Sequence, residues 1–99
     1  MDKLVLKGLS KPWLTELKLG FNTLGRNPTN DFRIPDASVS SFHCEIIVSE
    51  DSILVRDLGS TNGTFVNRGR RLIPGTPHLL SDGDEIIVGK TFLRFYLVN

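Results

Sequence analysis

The sequence predicts an all-β chain, a two-sheet β-sandwich of about eleven short, mostly antiparallel strands. Three observations lead there. Apolar residues fall in short alternating runs, and no window carries an i, i+3, i+4, i+7 apolar stripe long enough for a helix. Turn-forming residues interrupt the runs roughly every six to twelve positions. Many short strands with tight turns bury their apolar faces best as two sheets packed together.

The expected strands follow in order. Leu4-Val5-Leu6 is a short apolar run, and Leu14-Thr15-Glu16-Leu17-Lys18-Leu19 alternates until Gly20 breaks it. Phe32-Arg33-Ile34 lies between the breakers Asn27-Pro28 and Pro35-Asp36. Glu45-Ile46-Ile47-Val48 and Ile53-Leu54-Val55-Arg56 flank the polar turn Glu50-Asp51-Ser52. Thr64-Phe65-Val66 follows Gly59, and Gly69 and Pro74-Gly75 mark turns beyond it. Asp82-Gly83-Asp84 then precedes Glu85-Ile86-Ile87-Val88. The last run, Thr91-Phe92-Leu93-Arg94-Phe95-Tyr96-Leu97-Val98, alternates most strictly.

Size and composition narrow the function. Ninety-nine residues make one domain, 1–99, with 39% hydrophobic residues and no linker or repeat. Twelve basic and eleven acidic residues leave a net charge of +1 with the signs interleaved, which argues against a general nucleic-acid binder. The lone Cys44 excludes an internal disulfide and points to a reducing, intracellular setting, cytoplasmic or, in a eukaryote, nuclear. No apolar run reaches the ~20 residues of a membrane span. No paired carboxylates, metal ligands or triad stand out, so neither catalysis nor a metal or other cofactor is expected. Gly89-Lys90-Thr91 ends like a P-loop, but Asp84 stands where that loop needs glycine, and a strand follows instead of a helix.

Three polar clusters at strand ends remain: Gly25-Arg26, Ser40-Ser41-Phe42-His43 and Asp57-x-x-Ser60-Thr61-Asn62-Gly63-Thr64, the last followed by Asn67. An arginine, hydroxyls and freely oriented amides are what a phosphate dianion needs from a protein. In order and spacing, with the closing Asp82-Gly83-Asp84-Glu85-Ile86-x-x-x-Gly89, they resemble the forkhead-associated (FHA) domain pattern from about Leu17 to Val98.

That resemblance implies a phosphothreonine-peptide binding module on a β-sandwich, with a phosphorylated protein as partner. It implies that Arg26 contacts phosphate or the adjoining peptide backbone. Ser40 and Thr61 would donate hydroxyl hydrogen bonds to phosphate, Ser41 would add a weaker supporting contact, and Asn62 would hold the peptide main chain. Gly25, His43, Gly63 and Asn67 would support the site, with His43 bracing the Ser40 loop against the Ser60-Thr61 turn. Asp57 would tie down its own turn, and Arg68, Arg70 and Arg71 would form a solvated hairpin tip, the alternative being a role in reading acidic peptide residues. The family commonly has glycine directly after the asparagine at Asn67. Here Arg68 and then Gly69 follow, so the tip is expected to be one residue longer. The alternative reading keeps the scaffold but binds a partner without phosphate, through a sheet face or edge.

Overall fold

In this computed structural model, which describes residues 3–98, two five-stranded sheets form the sandwich. The strands are β1 (Lys3–Gly8), β2 (Leu14–Glu16), β3 (Gly20–Gly25), β4 (Phe32–Arg33), β5 (Cys44–Val48), β6 (Ile53–Asp57), β7 (Thr64–Val66), β8 (His78–Leu79), β9 (Glu85–Val88) and β10 (Thr91–Val98). One sheet has the order β2-β1-β10-β9-β7, the other β4-β3-β5-β6-β8. Every pairing is antiparallel except β3 with β4. The ten strands match the expected all-β sandwich, one short of the eleven anticipated.

The alternation read in the last run sets the core. Thr91, Leu93 and Phe95 of β10 are buried while Phe92, Arg94 and Tyr96 are only partly covered. From the facing sheet, Leu24, Ile46 and Val55 are fully buried, and Leu6, Ile86 and Val88 complete the layer. Burying such side chains stabilises the fold by roughly 1.5–3 kcal/mol each.

Two strands differ from the sequence expectation. The run from Leu14 to Leu19 is strand only to Glu16, because Leu17 turns into the core and its N–H bonds the Leu4 carbonyl. Strand β3 begins at Gly20, which has φ +90° and therefore both makes the turn and opens the strand. Its inward residue Asn22 is polar and 3% exposed, which hides the apolar alternation from a sequence reading. Burial is tolerated because Asn22 Nδ2 donates to the carbonyls of Lys18 and Ile46, and Oδ1 accepts from Lys18 N–H.

At one end of the sandwich four connections meet. Arg26 N–H, just past β3, donates to Ser40 O in the β4–β5 loop (2.9 Å), and Thr61 N–H in the β6–β7 turn donates to Ser40 Oγ (3.0 Å). The β9–β10 turn closes the group: Lys90 N–H donates to Ser38 Oγ (2.8 Å) and Gly89 N–H to Gly63 O (3.1 Å). Phe95 is the largest fully buried side chain. Phe95→Ala is expected to lower the unfolding free energy by about 3–5 kcal/mol in urea titration, by leaving a cavity between the sheets.

Candidate functional site

The site is built outward from Asp57, the last residue of β6. Its carboxylate is fully buried and accepts four hydrogen bonds. Oδ2 takes the N–H groups of Gly59 (2.9 Å) and Ser60 (3.0 Å), while Oδ1 takes the hydroxyls of Ser60 (2.5 Å) and Thr64 (2.7 Å). Ser60 Oγ in turn accepts from Gly63 N–H at 3.0 Å. Burial pushes the Asp57 carboxyl up, but the Ser60 and Thr64 hydroxyls and the two N–H groups outweigh it, so it lies below the usual carboxylate range. Tying its own turn was anticipated. The bond to Thr64 does more, joining the end of β6 in one sheet to the start of β7 in the other.

His43 braces the same turn from the neighbouring loop. Nδ1 accepts Ser40 N–H (3.1 Å), which places the proton on Nε2, and Nε2–H donates to Gly63 O (2.8 Å). The ring is fully buried, and burial pushes its pKa down against the upward pull of the Gly63 carbonyl and Asp57. His43 thus links the Ser40 loop to the Gly63 carbonyl. Cys44 beside it is also buried, and burial pushes its thiol up to about 12.

Gly25 is required by close approach. A Cβ there would lie 2.3 Å from Ser41 O and 2.8 Å from Asn30 Nδ2, so any side chain would push the Ser40-Ser41 loop off β3. Asn30 Nδ2 donates to both Ser41 O (2.7 Å) and Asn27 O (2.8 Å), clamping that loop. Ser41 therefore acts in the fold through its carbonyl, which also accepts Asn27 N–H (3.1 Å), while its side chain is exposed.

The candidate recognition side chains lie on this frame. Arg26 is exposed, and its Nε donates to Val39 O (3.1 Å); its terminal nitrogens bond nothing among the described residues. Ser40 Oγ accepts Thr61 N–H, so its own proton is free for an outside acceptor. Thr61 and Asn62 are exposed, and Asn62 Nδ2 donates to Ser38 O (2.8 Å), leaving Oδ1 and one amide hydrogen unused. The structure thus gathers Arg26, Ser40, Ser41, Thr61 and Asn62 through direct contacts.

Charge is also distributed unevenly. Among the described residues Arg56, Arg68 and Arg94 face carboxylates, whereas Arg26, Arg33 and Arg71 are held by main-chain carbonyls that leave their charge uncompensated. No group of three or more His, Cys, Asp or Glu side chains among the described residues could hold a metal ion.

The tip after Asn67 is a tight turn. Gly69 N–H donates to Val66 O (3.0 Å), closing a turn whose central residues Asn67 (φ 51°) and Arg68 (φ 58°) are both left-handed. Arg68 takes a conformation that favours glycine. It is held there by Glu85 Oε1 (2.9 Å) and by stacking 5.5 Å above the Phe92 ring. Asn67 supports the site from behind, its amide bridging Asp84 Oδ1 and Glu85 N–H (both 2.9 Å).

Several residues of the frame carry no conspicuous sequence signal. Asp36 Oδ1 accepts the N–H and hydroxyl of Ser38, and Oδ2 accepts Thr91 Oγ1–H, fastening the β4–β5 loop to the opposite sheet. Asp36-x-Ser38 is a local Asx-turn pattern that could have suggested the first pair of bonds. Arg71, expected in a solvated tip, instead reaches back to the Ser60 and Thr61 carbonyls.

A sequence model of the FHA domain matches residues 22–89, which takes in all the clusters above. The chain belongs to the FHA domain family. It is 42% identical over 82 residues to the human angiogenic factor with G patch and FHA domains 1, covering 76% of this chain and 12% of that protein. It is also 42% identical over 73 residues to the oxoglutarate dehydrogenase inhibitor of Corynebacterium efficiens, covering 74% of this chain and 49% of that protein. The chain therefore spans about half, or much less, of these curated relatives. Among solved structures, one from a study of phosphothreonine-dependent FHA domain interactions is 33% identical with a TM-score of 0.86, covering 98% of each chain. The FHA scaffold accounts for the loops gathered at one end, and the described residues contain no helix long and apolar enough to cross a membrane.

The lowered pKa of His43 gives the frame a pH signature. The unfolded chain binds a proton at His43 more tightly than the folded chain does, so stability is full above about pH 6.5 and falls as pH drops below it. A second loss begins below about pH 3.9, where Asp57, Asp31 and Asp36, all lowered in the fold, are protonated. The urea midpoint is expected to decline from about pH 7 to pH 5, and His43→Gln to lack that step. A wild-type midpoint that stays level across this range would contradict a buried neutral imidazole.

Proposed function

We propose that the chain is a single FHA domain, residues 1–99, which binds phosphothreonine-containing segments of a partner protein at this loop end. The observation that carries the reading is the Ser40–Thr61 contact. With its oxygen committed to Thr61 N–H, the Ser40 hydroxyl presents its proton outward, next to an arginine anchored through Nε with both terminal nitrogens free. Three acceptor oxygens and a charge of about −1.5 to −2 on phosphothreonine suit that set. Arg26 grips two phosphate oxygens, or one oxygen and a peptide carbonyl, with its planar fork. The hydroxyls of Ser40 and Thr61 donate to the remaining oxygens, with Ser41 alongside. Asn62, fixed by Ser38 O, offers its free amide groups to the peptide main chain.

The phosphothreonine-dependent interactions of the similar solved domain support this reading. Binding rather than catalysis fits the buried groups as well. Both His43 nitrogens are engaged, and the Cys44 thiol is too basic to serve as a nucleophile near neutral pH.

The alternative, a phosphate-independent contact through a sheet face, has one observation in its favour. Phe21, Ile47, Leu54 and Leu79 form a register row across β3, β5, β6 and β8, with Phe21 57% and Leu79 60% exposed.

Fluorescence anisotropy with a degenerate phosphothreonine peptide library distinguishes the two. Binding near micromolar, about −8 kcal/mol, is expected for selected peptides, with none for their unphosphorylated twins. Arg26→Ala should weaken it at least about tenfold, the equivalent of a charge-assisted bond. Phosphoserine peptides should bind about fourfold more weakly, from the lost burial of one methyl group. Equal binding of phosphorylated and unphosphorylated peptides would favour the sheet-face alternative.

A further inference from the structure

We infer that Arg71 is a positioning residue for phosphate recognition, acting through the Ser60-Thr61 peptide and Ser40 without touching the ligand. This rests on the proposed phosphothreonine reading and adds a residue to it. The Arg71 stem crosses Gly63 so closely that a Cβ there would lie 2.7 Å from Nε and 2.9 Å from Cδ. Gly63 has φ +88°, so the turn presents a bare backbone to the arginine. From there Nη2 donates to Ser60 O at 2.6 Å and reaches Thr61 O at 3.3 Å.

The first bond has a direct consequence at the binding surface. The carbonyl of Ser60 and the N–H of Thr61 belong to one peptide unit, and that N–H donates to Ser40 Oγ at 3.0 Å. A cation on the carbonyl draws electron density through the peptide, making Thr61 N–H a stronger donor. Ser40 Oγ, giving up more density to that N–H, becomes a stronger donor through its own hydrogen. The chain therefore runs from the Arg71 guanidinium through Ser60 C=O, Thr61 N–H and Ser40 O–H to the phosphate. The second contact acts likewise on the peptide between Thr61 and Asn62. Both contacts also fix the turn in place, so that Thr61 and Asn62 keep their outward side chains beside Arg26.

Nearby charges allow the arginine to act in this way. Asp57, the carboxylate of this corner, is fully engaged by Gly59, Ser60 and Thr64, and Arg71 has no carboxylate partner among the described residues. The guanidinium charge is consequently directed at the two carbonyls.

Arg71→Met, which keeps the stem over Gly63 and removes the charge, separates polarisation from packing. In the free protein, amide NMR is expected to show the Thr61 N–H shifted upfield and exchanging faster, with amides of β5 and β10 unchanged. An unaltered Thr61 amide overturns the inference whether or not any peptide binds. With a phosphothreonine peptide selected by the wild type, Arg71→Met should weaken binding about fivefold, and Arg71→Lys less. In a Ser40→Ala background the same Arg71→Met change should cost less than about twofold, because the relay has lost its last member. Equal weakening in both backgrounds would mean that Arg71 acts by a route that bypasses Ser40, and would overturn the relay. Wild-type protein that selects no phosphothreonine peptide would sink the functional reading, while the Thr61 amide would still decide the bracing.

Discussion

The structure depends most on one buried charge, the Asp57 carboxylate at the corner where the chain leaves one sheet for the other. Four donors converge on it, and they span the whole turn from Gly59 to Thr64. An unpaired buried carboxylate would be costly, so the turn must adopt the one shape in which all four bonds form. The same shape turns Thr61 and Asn62 outward and brings the Gly63 carbonyl within reach of His43. Inner electrostatics thus fix the outer surface.

Around that corner each loop is held by hydrogen bonds from neighbouring loops. His43 joins the Ser40 loop to the β6–β7 turn, and Asn30 clamps it against Gly25. Asp36 and Ser38 tie it to the β9–β10 turn on the opposite sheet. Rigid support of this kind keeps recognition groups in place before the ligand arrives, which reduces the ordering cost of binding. The Arg26 side chain, by contrast, is exposed and held by one bond, Nε to Val39 O.

Sequence patterns made most of this legible where the physics is local. The alternation in β10 and the apolar runs of β5, β6 and β9 report a two-sheet core directly. Strand β3 was concealed because its inward Asn22 satisfies backbone groups of Lys18, Gly20 and Ile46, and polarity there looks like a loop. Strand β8, two exposed residues long, carries no alternation to read. The candidate site residues stood out because their order and spacing form a recognisable pattern. The supporting contacts did not, since Arg71 meets its carbonyls across 10 and 11 positions and Ser38 meets Lys90 across 52. Arg68 misled for another reason. Nothing in its neighbours reveals that Glu85 and Phe92 hold it in a left-handed turn where glycine was expected.

Whether the buried Asp57 carboxylate shapes the turn from Gly59 to Thr64 is decided by the substitution Asp57→Asn. The amide retains one acceptor oxygen but sets an NH2 group against two of the four donors. In amide spectra recorded during titration with a selected phosphothreonine peptide, Gly59 to Thr64 should shift while the β1 and β10 ladder stays in place. Affinity should fall at least about tenfold, the scale of losing one charge-assisted bond. Unchanged turn amides together with unchanged affinity would contradict the account.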